Sequence, residues 1–204
     1  MSVQIERRQF EQYKRLVKFL GSLMIVLLEL ALYYYVWMNY YNRNMEVAFW
    51  RRGNWLIAGE YLSLLLLLHR MYGGLKIGIY KYWTLVYSHM ISLIGVNAFS
   101  YVQVVLFDKK MHNPTALLIL TIVDFLVVML WTFAFKKIYA ALFPKKKLLL
   151  VHADRPMFHL MGRIESREDK YEIKETIRLQ DNVEEIIRKA ENYDGVIIGD
   201  IPAG

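Results

Sequence analysis

The feature that most restricts what this chain can fold into is a change of pattern across Phe135–His152, FKKIYAALFPKKKLLLVH. An apolar helical run ends there in a Lys-rich, Pro-containing hinge. It gives way to Leu148–Val151, a short continuous apolar run of the kind that forms a buried strand. Before the hinge the pattern is that of membrane helices; after it, that of a soluble α/β domain. The expected division is a four-span transmembrane domain over 1–143, with an amphipathic lead-in, and a cytosolic domain over 144–204.

Composition agrees with a mixture of the two. The chain is 56% hydrophobic and 15% aromatic, with a mean hydropathy of +0.22. That is too apolar for an ordinary soluble domain and too charged for one wholly buried in lipid. The net charge is +7, but its Lys and Arg residues flank apolar stretches. They point to membrane orientation rather than to nucleic acid, for which no basic helix or RNA-binding aromatic strand pattern is present. There is no cysteine, which excludes disulfides, Cys-ligated zinc and thiol chemistry.

Residues 1–18 are basic, with Phe10, Tyr13, Leu16 and Val17 at helical spacing. They read either as an amphipathic helix along the cytoplasmic face or as a helical lead-in to the first span. The first apolar run, from Val17 to about Tyr40, ends in LYYYVWMNYY. This aromatic cluster resembles an interfacial belt and lacks a small-residue cleavage site, so the run is a retained span rather than a signal peptide. A second span centres on Trp55–Leu68, a third on Trp83–Phe107 and a fourth on Ala116–Phe135. The second is short in strictly apolar residues and must borrow from its flanks to reach the roughly 20 residues that a bilayer requires.

Lys and Arg in alternate loops number thirteen against five. The thirteen include Arg70, Lys76, Lys81 and Lys145–Lys147; the five are Arg43, Arg51, Arg52, Lys109 and Lys110. The positive-inside rule then places both termini in the cytoplasm, with four spans between them.

Past the hinge, Leu148–Val151, Tyr171–Leu179 and Gly195–Gly199 read as strands. Pro156–Ile164 and Val183–Ala190 read as helices. This β-α-β-α-β order predicts a parallel, Rossmann-like sheet that is expected to be partial. Its first strand–helix turn, HADRPMFHLMG, lacks the glycines that let backbone approach a pyrophosphate, so His152 and Arg155 there are better read as scaffold. Gly73, Gly74 and Gly78 in MYGGLKIG would bring backbone near a lipid headgroup or, more simply, form a tight turn between helices.

The sharper candidates are ionisable residues inside the spans: Glu29, Glu60, His89 and Asp124. A charge in the membrane is costly, so they should face the interior as a buried polar network. That network would serve as a proton or cation path, or as packing glue paired with Asn97, Ser92 or Thr121. Glue is simpler, because four spans leave little room for a path. No His, Asp or Glu group has metal-ligand spacing along the sequence, and no nucleophile–base pair stands out. No catalytic, cofactor-binding or metal-binding residue is therefore assigned.

Several segments together resemble one family: RRGNW at 51–55, MYGGLKIG at 71–78, KKKLLLVHADRP at 145–156, SREDKYEI at 166–173 and YDGVIIGDIPA at 193–203. They are similar to the N-terminal half of the bacterial polyprenyl-phosphate glycosyl-1-phosphate transferases of exopolysaccharide and capsule biosynthesis. The resemblance implies a membrane all-α four-helix bundle followed by a partial α/β Rossmann-like domain, in the bacterial inner membrane. It also implies a catalytic segment beyond these residues that moves sugar-1-phosphate from a nucleotide sugar to undecaprenyl phosphate. A divalent cation such as magnesium would belong to that segment and not to this chain. The expected role here is anchoring and regulation, without transferase activity in these 204 residues. Expected partners are the lipid bilayer and either a second copy or other polysaccharide-assembly proteins. Two other roles fit the residues: a four-span sensor or adaptor whose cytosolic domain docks a partner, and a small ion or proton carrier using Glu29, Glu60 and Asp124.

Overall fold

A computed structural model describes residues 2–78, 80–152, 171–178 and 183–199, with side chains described from 13 onward except those of 183–185. The chain divides into two compact units, Met1–Tyr139 and Ala140–Gly204.

The first unit is helical. Helix α1 spans Ser2–Val36 and continues through a π turn, Trp37–Tyr41, into the short α2, Asn42–Asn44. Helix α3 spans Arg51–Tyr72, α4 Tyr82–Asp108 and α5 Thr115–Leu142. The basic lead-in is thus continuous with the first apolar run rather than a separate surface helix. Three helical segments, Tyr13–Asn44, Tyr82–Asp108 and Thr115–Leu142, are long and apolar enough to cross a membrane. Helix α3 is not among them: Arg51 and Arg52 open it, Glu60 interrupts it and Arg70 lies in its last turn.

Helix α5 shows why such a helix suits lipid. Its buried side carries Leu117, Leu120, Asp124, Val128, Thr132, Phe135 and Tyr139. Its opposite side exposes Leu118, Ile122, Leu126, Leu130 and Phe133. Both sides step by three or four residues, but both are apolar, which in a helix marks a membrane span or a deeply buried element.

One core joins residues of all four long helices, among them Ile25 and Tyr33 of α1 with Trp37 of the π turn, Ile57, Tyr61 and Leu65 of α3, Leu93 and Val96 of α4, and Leu120 and Val128 of α5. The aromatic run that ends α1 and fills the π turn is divided between core and surface. Tyr33, Trp37 and Tyr41 are buried and Tyr35 is exposed, so an interfacial belt accounts for only part of it. Tyr33 stacks on Tyr61 with ring centroids 3.7 Å apart. Trp37 Nε1 donates to Asn54 Oδ1 at 2.8 Å, and Asn54 Nδ2 donates to the Phe49 carbonyl at 3.0 Å. The asparagine of RRGNW therefore fastens the loop before α3 to the end of the first long helix.

The π turn has a geometric reason. Buried residues on the first helix recur every four positions at Ile25, Glu29, Tyr33, Trp37 and Tyr41. In an α-helix each such step overshoots a full turn by about 40°. The wider π turn takes back part of that drift and keeps Tyr41 on the core side.

In the second unit, β1 (Lys146–His152) lies between β2 (Tyr171–Arg178) and β3 (Gly195–Gly199), all parallel. Leu148–Val151 are buried throughout, as a central strand with both faces covered requires. A register shift between Leu148 and Leu149 lets β2 accommodate an extra residue. Helix α6 (Val183–Ala190) packs Ile186 and Ala190, with Tyr193, over Leu149, Val151 and Ile177. Asp194 ties the start of β3 to β1: its N–H donates to the Lys147 carbonyl at 2.9 Å, and its carboxylate accepts the Lys147 N–H at 3.0 Å. The helix expected over 156–164, together with Arg155 and Gly162, lies outside the described residues.

Candidate functional site

The site forms where α1, α3 and α4 meet beneath the turn that follows α3. Helix α3 ends at Gly73, whose φ of 85° is left-handed; its N–H and that of Gly74 both return to the His69 carbonyl. A left-handed residue closing a helix in this way is a role for which glycine is suited. The Gly-Gly pair is thus a tight turn, and it sets the Gly74 carbonyl over the helix pair.

Three ionisable side chains converge under it. Glu29 comes from the middle of the first apolar run, His69 from the last turn of α3 and His89 from the second turn of α4; they are 0%, 0% and 1% exposed. His89 Nδ1 lies 2.8 Å from Glu29 Oε1 and 2.8 Å from His69 Nε2. His69 Nε2 lies 3.1 Å from Glu29 Oε2. The other ring nitrogen of His89 donates to the Gly74 carbonyl at 3.0 Å. Since a carbonyl only accepts, this contact assigns the hydrogen to Nε2 and turns Nδ1 toward the cluster. Glu29 Oε2 and His69 Nδ1 make no hydrogen bond of good geometry. Each of the three residues offers one ligand atom to a common centre, so the trio could hold a metal ion.

The four expected network residues do not all meet. Glu29 and His89 are joined directly. Asp124 is fully buried on α5, but neither of its oxygens has a hydrogen-bond partner among the described residues. The Asn97 amide is used elsewhere, donating to Thr121 Oγ1 at 2.9 Å and accepting from Tyr61 at 3.0 Å. Ser92 bonds within its own helix, to the Ser88 carbonyl. Glu60 departs from the expectation of a buried network: it is exposed on α3 and accepts a hydrogen bond from Gln103. Hydrogen bonds between helices run through Tyr61, Asn97 and Thr121, and also through Glu29 to His89 and Glu60 to Gln103.

His69 was absent from the candidates drawn from sequence, yet a signal for it exists. The buried side of α3 runs Asn54, Ile57, Ala58, Tyr61, Leu65 and His69. Extending that step of three and four reaches His69 and leaves Glu60 to one side.

Comparison with protein-family models, curated proteins and solved structures found no match.

Proposed function

We propose that this chain is the membrane-embedded, anchoring and regulatory part of a bacterial polyprenyl-phosphate sugar-1-phosphate transferase. The observation that carries the reading is the order of elements. Membrane-length apolar helices are followed, across the short Phe143–Lys145 linker, by a parallel sheet whose first strand is central. That order is what the resemblance in RRGNW, MYGGLKIG and the Lys-rich junction implies.

Within this reading the four long helices form a bundle of four spans in the inner membrane, with both termini cytoplasmic. Helix α3 serves as the second of the four spans. Its 22 residues reach about 33 Å at 1.5 Å per residue, enough for a bilayer core. Its arginines sit at its ends, where long side chains reach the headgroups. The sheet belongs to a Rossmann-like domain whose role is structural or regulatory. The chemistry of sugar-phosphate transfer to undecaprenyl phosphate, with its divalent cation, is assigned to a segment other than these residues.

The test is to read the coding DNA beyond Gly204. The expected result is an open frame that continues into a basic amphipathic segment with an acidic pair. A stop codon at that point would overturn the reading. Measurable sugar-1-phosphate transfer by the purified 204-residue chain would likewise refute the assignment of catalysis elsewhere.

A second reading, a membrane adaptor, draws on β3. It has one neighbour among the described strands, and Ile198 on it is 60% exposed. Such an edge invites another chain to extend the sheet. Recovery of the protein from native membranes only as a single species without a stable partner would count against it.

A further inference from the structure

The Glu29, His69 and His89 trio is not used by the function proposed above, and its geometry is hard to satisfy with protons alone. Each ring nitrogen in the cluster offers one hydrogen or one lone pair, in one direction. Three contacts of 2.8, 2.8 and 3.1 Å link His89 Nδ1, His69 Nε2 and the two Glu29 oxygens. With one direction per nitrogen, at most two of these contacts are bridged by a hydrogen. The third leaves polar atoms pressed together without one, in a site shut off from water, where an unmatched polar contact is most costly. A single cation removes the conflict, because both imidazole nitrogens and a Glu29 oxygen then direct a lone pair at the same point.

We propose that Glu29, His69 and His89 bind one divalent transition-metal ion of the zinc class. The donor set is two imidazole nitrogens and a carboxylate, which suits zinc and its neighbours rather than magnesium or calcium. A tetrahedral shell with bonds of about 2.0–2.1 Å separates ligand atoms by about 3.3 Å. The observed separations need to open by only a few tenths of an ångström. Glu29 turns Oε1 to His89 and Oε2 to His69, so a carboxylate oxygen faces each imidazole. The three residues supply one donor atom each, and a water molecule would complete a tetrahedral shell. The buried Glu29 Oε2, otherwise without a hydrogen bond, is accounted for as a ligand.

Support around the ligands points the same way. Metal-bound histidines usually donate their second N–H to a carbonyl or carboxylate, which fixes tautomer and ring orientation. His89 does so to Gly74, and Gly74 is itself held by its N–H to the His69 carbonyl. The turn that closes α3 therefore orients one ligand directly and packs beside another. Because the ligands come from α1, α3 and α4, the ion would act as a structural clamp on three helices, and its binding free energy would add to the stability of the fold.

The experiment uses the full chain purified in detergent, stripped with a chelator and then given Zn²⁺, Co²⁺ or Mg²⁺ separately. The expected result is one zinc retained per chain after desalting, a raised thermal midpoint with Zn²⁺ and none with Mg²⁺. Co²⁺ should give the visible absorption of a four-coordinate site. Glu29→Gln, His69→Gln and His89→Gln should each abolish the cobalt band, while Glu60→Gln and His112→Gln retain it. Absence of a cobalt band and of stoichiometric zinc in the unmutated chain would overturn the proposal, whether or not the variants fold. A band that survives in all three ligand variants would overturn it as well.

Discussion

At the scale of single residues, two side chains illustrate how local chemistry is converted into packing. Asn54 is buried and links Trp37 to the Phe49 carbonyl. Asn54→Ala leaves the buried Trp37 indole N–H without its acceptor and removes one of the two amide donors to the Phe49 carbonyl, so it should lower stability by about 1–3 kcal/mol. Thermal unfolding in detergent would show this, and no change in midpoint would contradict it. Glu175 lies outside the membrane helices, where Lys189 donates to Oε1 at 2.9 Å and Tyr193 to Oε2 at 2.8 Å. The Lys189 contact first, and then the Tyr193 hydroxyl, hold its carboxyl below the usual glutamate range. A depressed carboxyl contributes stability that is complete above its unfolded pKa of about 4.3 and is lost as pH falls below that value toward the folded one. Hydrogen exchange in α6 should accordingly quicken on acidification through this window. In Glu175→Gln the acid-dependent part should vanish.

Legibility from sequence also divides at this scale. The long apolar runs gave away α1, α4 and α5 because outward-facing and core-facing residues alike are apolar there, and the runs cannot be mistaken for anything short. The buried β1 was legible for the same reason: Leu148–Val151 is covered on both faces. The cluster was not, since Glu29, His69 and His89 lie 40 and 20 residues apart and no local spacing binds them. Glu60 misled because hydropathy alone does not say which side of a helix a residue takes. Its neighbours Ile57, Ala58 and Tyr61 define the buried side, and Glu60 is outside it.

At the scale of elements, the contact between α1 and α5 depends on the absence of one side chain. A Cβ on Gly21 would come within 2.2 Å of Phe135 Cε2, and the Gly21 carbonyl accepts from Trp131 Nε1 at 3.2 Å. Small residues let helices approach closely in membranes, where packing rather than water drives their association. Gly21→Val should separate the two helices and cost about 1–3 kcal/mol or more. Phe135→Ala should recover part of that loss, giving a favourable coupling in a double-mutant cycle. Strictly additive effects would show that the two residues do not press on one another. The Trp37–Tyr41 π turn belongs to the same scale. It serves a buried stripe whose repeat of four is longer than an α-helical turn, so the irregularity follows from the sequence period.

At the scale of the whole molecule, the proposed four-span arrangement assigns each loop to one side of the membrane. The chain contains no cysteine, so single cysteines can be introduced without background. With four spans and cytoplasmic termini, a cysteine at Lys76 should be labelled from the same side as one at Lys145, and one at Lys110 from the opposite side. If the Lys76 and Lys110 positions were labelled from the same side, α4 would not be crossing the bilayer and the four-span arrangement would fail.

Asp124 bears on how such a protein is made. Its carboxyl sits well inside α5, on the side that faces the core, and has no hydrogen-bond partner among the described residues even there. A lone α5 entering lipid would present that group to hydrocarbon, which is costly for a polar or charged side chain. Helix α4 precedes it across a short loop, and Asn97 on α4 grips Thr121 one turn from Asp124. The two helices are therefore suited to leave the insertion machinery as one hairpin. During synthesis, α5 would wait at the exit site until α4 is beside it.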